Sequence, residues 1–256
     1  MQILEKFNLS GMKMFVTGAG RGIGQVIATA LCSAGADVAF VDLDPDTVQV
    51  SAQKAAELTG ANTIAIQADV SKPESVNAMM ESILAKFGWV DAAFNNAGIA
   101  NADMPAEDIP YDLINQILQV NVIGVYLCCQ ACAKVMIPRK KGSIINMASM
   151  SAHIVNVPQK TSNYAVSKAG VVTLTKNLAA EWAPHNVRVN CISPGYTMTE
   201  LAKQFESQFG PWLERIPMGR FQQPEELAGA VVYLASDAST YTTGTDIIID
   251  GGYSLW

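Results

Sequence analysis

The feature that most limits what this chain can become is an alternation of short apolar runs with longer amphipathic stretches, sustained from one end to the other. Met12–Thr17 (MKMFVT), Asp37–Asp42 (DVAFVD), Thr63–Ala68, Val90–Asn95, Gly142–Ala148 (GSIINMA), Val187–Ser193 (VRVNCIS) and Thr245–Asp250 (TDIIID) have the length and apolar character of strands. Between them, Gly22–Ser33, Pro45–Leu58, Pro73–Phe87, about Tyr111 to Met136, about Thr161 to Ala183, and Pro224–Ala235 read as helices. Strands separated by helices of this length pair in parallel through right-handed crossovers. Strands that are apolar almost throughout belong in a sheet covered on both faces. The expectation is an α/β fold, a doubly wound parallel sheet of about seven strands flanked by helices. No Pro/Gly/Ser-rich linker, internal repeat or low-complexity tract divides residues 1–256, so one domain is expected. The stretch 194–217 breaks the alternation and is a candidate lid.

Composition removes other classes. Hydrophobic residues make up 50% of the chain and charged residues 16%, which is too apolar for disorder and leaves apolar surface to bury between subunits. A net charge of −6 lacks the basic field that nucleic-acid binding needs, so no nucleic-acid partner is expected. The odd count of five cysteines, in a chain with a large core, fits a reducing cytosol and a cytoplasmic location. The first residues lack a long apolar region, and no run of 18 uncharged apolar residues appears. Neither a signal peptide nor a membrane partner is expected.

Thr17-Gly18-Ala19-Gly20-Arg21-Gly22-Ile23-Gly24 stands between the first strand and the first helix. Glycines there let the chain approach a pyrophosphate and present N–H groups at a helix N-terminus. The spacing is T-G-x-x-x-G-x-G rather than G-x-G-x-x-G, and a tight turn seldom needs four glycines in seven residues. This makes the domain Rossmann-type and dinucleotide-binding. Asp42 ends the second strand, where an acid accepts from the adenosine ribose and repels a 2′-phosphate. It could instead cap the next helix, but Asp44 before Pro45 is better placed for that. Arg21 could pair with a 2′-phosphate; beside Asp42 the balance favours NAD. Asp69-Val70 follows the third strand, and its carboxylate is either near the adenine amino group or a turn residue.

Tyr164 and Lys168 stand four apart in Tyr-Ala-Val-Ser-Lys and share a helix face. A phenol with a pKa of about 10 is a poor base at neutral pH, and a neighbouring ammonium favours the phenolate. Ser149, 15 residues before Tyr164, could hold a substrate oxygen; Ser151, at 13, is its rival. Asn121 is an amide among apolar residues, bonded to backbone within a helix or holding a water in a proton relay.

Together these residues resemble the short-chain dehydrogenase/reductase family over essentially the whole chain. The motifs occur in order: TGAGRGIG at Thr17, Asp69, NNAG at Asn95, Asn121, Ser149, YAVSK at Tyr164 and PGYTMT at Pro194. The resemblance implies that Tyr164 is the general acid/base, and that Lys168 lowers its pKa and binds the nicotinamide ribose. It implies that Ser149 orients the substrate oxygen and Asn121 positions a water. It brings Gly18, Arg21, Gly22, Ile23, Gly24, Asp42, Asp69, Val70, Asn96 and Gly98 to the cofactor, with Pro194, Gly195, Thr197 and Thr199 from the later motif. The segment SMSAHIVNVPQ and the ending DGGYSLW look like a polyol-oxidising subgroup, the galactitol, sorbitol and arabinitol dehydrogenases, in which the longer serine–tyrosine loop occurs. A site built to hydrogen-bond many hydroxyls discriminates strongly, and Ser151, Asn156 and Gln159 could supply those bonds.

The implied activity is NAD-dependent interconversion of a secondary alcohol, a polyol, with its ketone or ketose. The rivals are a reductase of a keto-acid, ketoacyl, steroid or other carbonyl substrate on the same scaffold and a dinucleotide-sensing protein without turnover. The resemblance implies a homotetramer, and in some relatives the terminal carboxylate, here that of Trp256, holds a structural divalent cation such as Mg. Cys129-x-x-Cys132 has no second pair and reads as core packing. His153 near the expected pocket reads as a surface residue, and His185 at a helix end as solvated.

Overall fold

A computed structural model describes residues 2–101, 103–203 and 205–255. Its strands are β1 (Lys13–Thr17), β2 (Asp37–Asp42), β3 (Thr63–Gln67), β4 (Ala92–Asn95), β5 (Gly142–Met147), β6 (Val187–Pro194) and β7 (Asp246–Ile249). Its helices are α1 (Gly22–Ser33), α2 (Pro45–Thr59), α3 (Pro73–Phe87), α4 (Tyr111–Leu118), α5 (Val125–Arg139), α6 (Ser162–Trp182), α7 (Glu200–Lys203), α8 (Phe209–Leu213) and α9 (Ala228–Ala235). The seven strands form one sheet in the order β3-β2-β1-β4-β5-β6-β7, every pair parallel.

Successive strand residues point to opposite faces, and here both faces are dry. Phe15 joins the core under α3, α5 and α6, while its neighbours Met14 and Val16 join the core under α1, α2 and α9. That double burial is why the strands read as continuous apolar runs. The winding reverses between β1 and β4, and the crevice beyond the carboxyl ends of those strands is where such sheets bind ligands. Asn96 ties the two ends together: its side-chain amide donates to the Thr17 carbonyl at 2.9 Å, and its backbone N–H donates to Thr17 Oγ1 at 3.0 Å.

Three elements differ from the periodicity reading. The long helix beginning at Tyr111 contains a π-turn, Gln119–Gly124, and continues to Arg139. Apolar periodicity cannot resolve one widened turn inside a helix. By length and composition alone, Tyr111–Arg139 would pass for a membrane span, but half of its most apolar window is buried inside the protein. Pro224–Ala235 is a 3-10 turn, Pro224–Leu227, followed by α9. The interruption at 194–217 carries two short helices, α7 and α8, which sit over the end of the crevice.

Candidate active site

The crevice is a cavity of about 930 Å³ that runs from the glycine loop to α8, within the range of small-molecule sites. At the first end, Gly18, Arg21, Gly22 and Ile23 line it. Helix α1 starts with no side-chain cap at Arg21, so its first N–H groups remain available for an anion. Gly22 sits at φ +60 with open space where a Cβ would be, a conformation that other L residues adopt at a cost. Gly24 is not among the residues that line the cavity; a Cβ there would run into the Gly18 carbonyl, so glycine is what lets the turn close.

Asp42 lines the same end. Its Oδ2 accepts from the Gly20 N–H at 2.9 Å and its Oδ1 from the Asp44 N–H at 3.2 Å. The carboxylate therefore braces the glycine loop as well as facing the cavity. Asp44, not Asp42, caps α2, accepting from the N–H groups of Asp46 and Thr47. Asp69 and Val70 also line the cavity, and Asp69 holds its own turn by accepting from the Ser71 N–H at 2.9 Å and hydroxyl at 2.7 Å. Both readings of Asp69 are thus compatible with one geometry. Leu43 and Lys72 line this wall too and carry no motif that would have marked them.

The middle of the cavity is where α6 meets the ends of β4 and β5. Lys168 is 3% exposed and donates to the Met147 carbonyl at 2.9 Å. Burial lowers its pKa from 10.5 to about 8. Its ammonium lies 5.6 Å from the centre of the Tyr164 ring. Burial raises the Tyr164 pKa, and a hydrogen bond with Ser149 opposes it.

Ser149 follows β5 and starts a 3-10 turn, Met150–Ala152. Its Oγ accepts from the Ser151 N–H at 3.1 Å and donates to Ser151 Oγ at 3.2 Å, so the two rival serines form one hydroxyl pair. Asn121 lies in the π-turn, fully buried. Its side chain accepts from Ile99 N–H at 2.8 Å and donates to Ile99 O at 2.9 Å and Ser167 Oγ at 3.0 Å. The amide is bonded to backbone, as one of its two readings had it, and does not line the cavity. A Cβ on Gly98 would stand 3.2 Å from Asn121 Oδ1 and 3.5 Å from Lys168 Nζ. Glycine keeps that space open between them.

The far end is built from the loop after β5 and from the segment 194–217, the candidate lid. Ser151, Asn156 and Gln159 line it. Asn156 Nδ2 donates to the Tyr196 hydroxyl at 3.2 Å, and Asn156 Oδ1 is buried without a partner. Pro194, Gly195, Thr197 and Thr199 lead into the lid along the same wall. Tyr196 stacks on Trp212 of α8 with centroids 3.9 Å apart, and Tyr253 meets it edge-on at 5.3 Å. Tyr196 and Trp212 are lining residues that the motif reading passed over. Tyr196 sits inside the PGYTMT motif and could have been found by its neighbours, whereas Trp212 arrives only through the fold of α8.

Other singled-out residues lie elsewhere. Cys128, Cys129 and Cys132 are buried in the core, and burial pushes the Cys129 thiol up to about 12. Among the described residues no cluster of His, Cys, Asp and Glu could hold a metal. His185 is exposed. His153 Nε2 lies 2.6 Å from the Asp246 carboxylate. Trp256 lies outside the described residues.

Comparison with known proteins narrows the chemistry. A family model described as enoyl-(acyl carrier protein) reductase matches residues 18–254. Sorbose reductase of Candida albicans is 39% identical over 98% of this chain and 90% of its own. D-threitol dehydrogenase of Mycolicibacterium smegmatis is 41% identical over 97% of this chain and 95% of its own. A short-chain dehydrogenase/reductase of Mycobacterium marinum superposes with a TM-score of 0.97 at 44% identity, covering all of both chains. Further similar proteins include one named as NADP-dependent, one named as NAD-dependent, and gluconate 5-dehydrogenases.

Proposed function

The chain belongs to the short-chain dehydrogenase/reductase family of nicotinamide-dependent oxidoreductases, and from that premise we propose that it interconverts a polyol and its ketose with NAD. The observation that carries the polyol reading is the chemistry of the far wall. Ser149, Ser151, Asn156, Gln159, Tyr196 and Trp212 offer neutral hydrogen-bonding groups. Among the described lining residues the cations are Arg21, Lys72 and Lys168, and the first two belong to the glycine-loop end. Glu200 is the acid on the lid side. Such a wall suits a neutral substrate with many hydroxyls. It offers little to the carboxylate of a keto-acid, whose charge needs a matched cation. Relatives named for sorbose and threitol support the same substrate class.

The cofactor end fits a dinucleotide: uncapped N–H groups at α1 suit a pyrophosphate, and open space lies over Gly22. Asp42 would hold the adenosine ribose hydroxyls, with its negative charge set against a 2′-phosphate. Asp69 and Val70 would border the adenine, with Asn96 and Gly98 nearer the nicotinamide and Thr197 and Thr199 closing over it. When bound, the dinucleotide supplies the hydride acceptor.

The substrate hydroxyl would then give its proton to the Tyr164 phenolate as its carbon loses hydride, and Tyr164 would return the proton in the reverse reduction. Burial holds the Tyr164 pKa up, and the positive charge of Lys168, joined by that of an oxidised nicotinamide when bound, would favour the phenolate. Ser149 donates to the substrate oxygen and keeps it in line with Tyr164. Asn121 fixes the segment at Ile99 and the space beside Gly98, where a water would join Lys168 to solvent. The lid, 194–217, closes over the substrate. Exposed apolar side chains at Tyr111, Ile123 and Tyr126, and at Ile248 on the edge strand, support a homotetramer.

The test is dinucleotide reduction across a panel of polyols, secondary alcohols and sugar acids, each with NAD and with NADP. Turnover of a neutral polyol with NAD is expected. Faster turnover of a sugar acid would sink the polyol reading, and equal use of NADP would mean that Arg21 outweighs Asp42.

A further inference from the structure

We infer that His153 is a positioning residue for substrate recognition, acting through Asp246 to pin the loop after β5 to the edge strand β7. The inference rests on the reading that this loop meets the substrate, but not on which alcohol is used. His153 follows the 3-10 turn that Ser149 starts, and stands between Ser151 and Asn156. Its Nε2 lies 2.6 Å from Asp246 Oδ2. The Asp246 side chain is 9% exposed and is the first residue of β7. Ser193 of β6 donates to the same oxygen at 2.9 Å. The carboxylate is thus fixed to the sheet on one side and holds the loop on the other.

Elsewhere the Lys160 N–H donates to the Asp103 carboxylate at 2.6 Å, outside the sheet, and two further contacts are weaker. Asn156 donates to the Tyr196 hydroxyl at 3.2 Å, and the Val157 carbonyl accepts from the Tyr253 hydroxyl at 3.4 Å. Both are neutral hydrogen bonds to aromatic side chains at the lid and the C-terminal turn. A hydrogen bond to a carboxylate is shorter and roughly twice as strong as a neutral one, and the observed lengths follow that order. His153 is therefore the anchor that connects loop geometry to the sheet. Neither His153 nor Asp246 lines the cavity, so any effect on recognition passes through Ser149, Ser151 and Asn156.

The test compares His153→Ala, His153→Gln, Asp246→Asn and the double variant His153→Ala/Asp246→Asn with the parent protein. Glutamine places an amide donor near the position of the imidazole Nε2. The expected result for His153→Ala is a KM for the alcohol raised about tenfold, as for loss of one charge-assisted hydrogen bond, with NAD affinity unchanged. His153→Gln should recover most of it, and the double variant should be no worse than the more severely affected single variant. Hydrogen exchange of loop amides 151–157 should quicken in His153→Ala while that of β5 and β6 stays the same. This second readout needs no substrate, so it stands even if the polyol panel is silent. An unchanged KM with unchanged loop exchange would overturn the inference. So would a loss of NAD affinity parallel to the rise in KM, which would mark a general structural defect.

Discussion

The two ends of the cavity are made of different material. The glycine-loop end is mostly backbone: uncapped N–H groups of α1, a left-handed Gly22, and a turn that Gly24 allows to close. The substrate end is mostly side chain: the Ser149–Ser151 hydroxyl pair, Asn156, and the stacked rings of Tyr196 and Trp212. A backbone site tolerates few alternatives, because removing a glycine changes where the chain can go. A side-chain site can be rewritten residue by residue on the same scaffold, which is how one fold serves many substrates. The two ends should accordingly fail in different ways when perturbed.

The largest separation is expected at Tyr164. Tyr164→Phe removes the acid/base hydroxyl and leaves the ring, so kcat should fall by roughly 10²–10⁴. NAD affinity, read by fluorescence titration, should change little. If both fall together, the two ends are not independent and the comparison breaks.

Gly24→Ala tests the opposite end. The added methyl group meets the backbone oxygen of Gly18 and the Asn96 side-chain amide, which is held by its hydrogen bonds to the Thr17 and Gly18 carbonyls. The turn must shift, with an expected stability loss of about 2–3 kcal/mol and weaker NAD binding. Retention of parental NAD affinity and melting temperature would show that the turn has slack the structure does not suggest. Gly22→Ala offers a milder companion, since space is open there and only the positive φ resists.

The same division explains what the sequence made legible. Strand positions and parallel order follow from apolar runs buried on both faces, which leave a plain trace in one dimension. The glycine loop does so as well, because its function requires particular residues at consecutive positions. The π-turn at Gln119–Gly124 leaves no such trace, since it alters one turn of an unbroken helix. Trp212 reaches Tyr196 only because α8 folds back over the β6 end. His153 meets Asp246 across most of the second half of the chain, and neither residue belongs to a local pattern that joins them. The effect of burial on Tyr164 likewise leaves no trace in one dimension, where only the neighbouring lysine shows.

Asn156→Ala and Gln159→Ala probe how far the substrate end can be changed without disturbing the other. Each should raise the KM for a polyol by about tenfold, as for one lost hydrogen bond to a substrate hydroxyl, with NAD affinity unchanged. Asn156 should show the larger effect, because its Oδ1 is buried and lacks a protein partner. Unchanged kcat/KM in both variants would remove these residues from the site and shift recognition to the lid.

The smallest effect concerns the boundary between the ends, and its sign is informative. Lys168 is buried, and its pKa is lowered from 10.5 to about 8 by desolvation. Below about pH 8 both the folded and the unfolded chain carry the proton, so the fold bears the full cost of a buried ammonium. Between about pH 8 and 10.5 the folded protein releases the proton while the unfolded chain keeps it, and stability contributed by this group rises with pH. Lys168→Met abolishes the charge and should stabilise the protein near neutral pH by about 1 kcal/mol, while activity is lost. The gain is limited because the Met147 carbonyl loses its donor. Urea unfolding of parent and variant should show the gap closing as pH rises through that window. A gap that stays constant would mean the ammonium is not desolvated as its burial implies. A variant less stable than the parent at neutral pH would mean that the bond to Met147 outweighs the buried charge, making Lys168 part of the structural frame and not a strain held for catalysis.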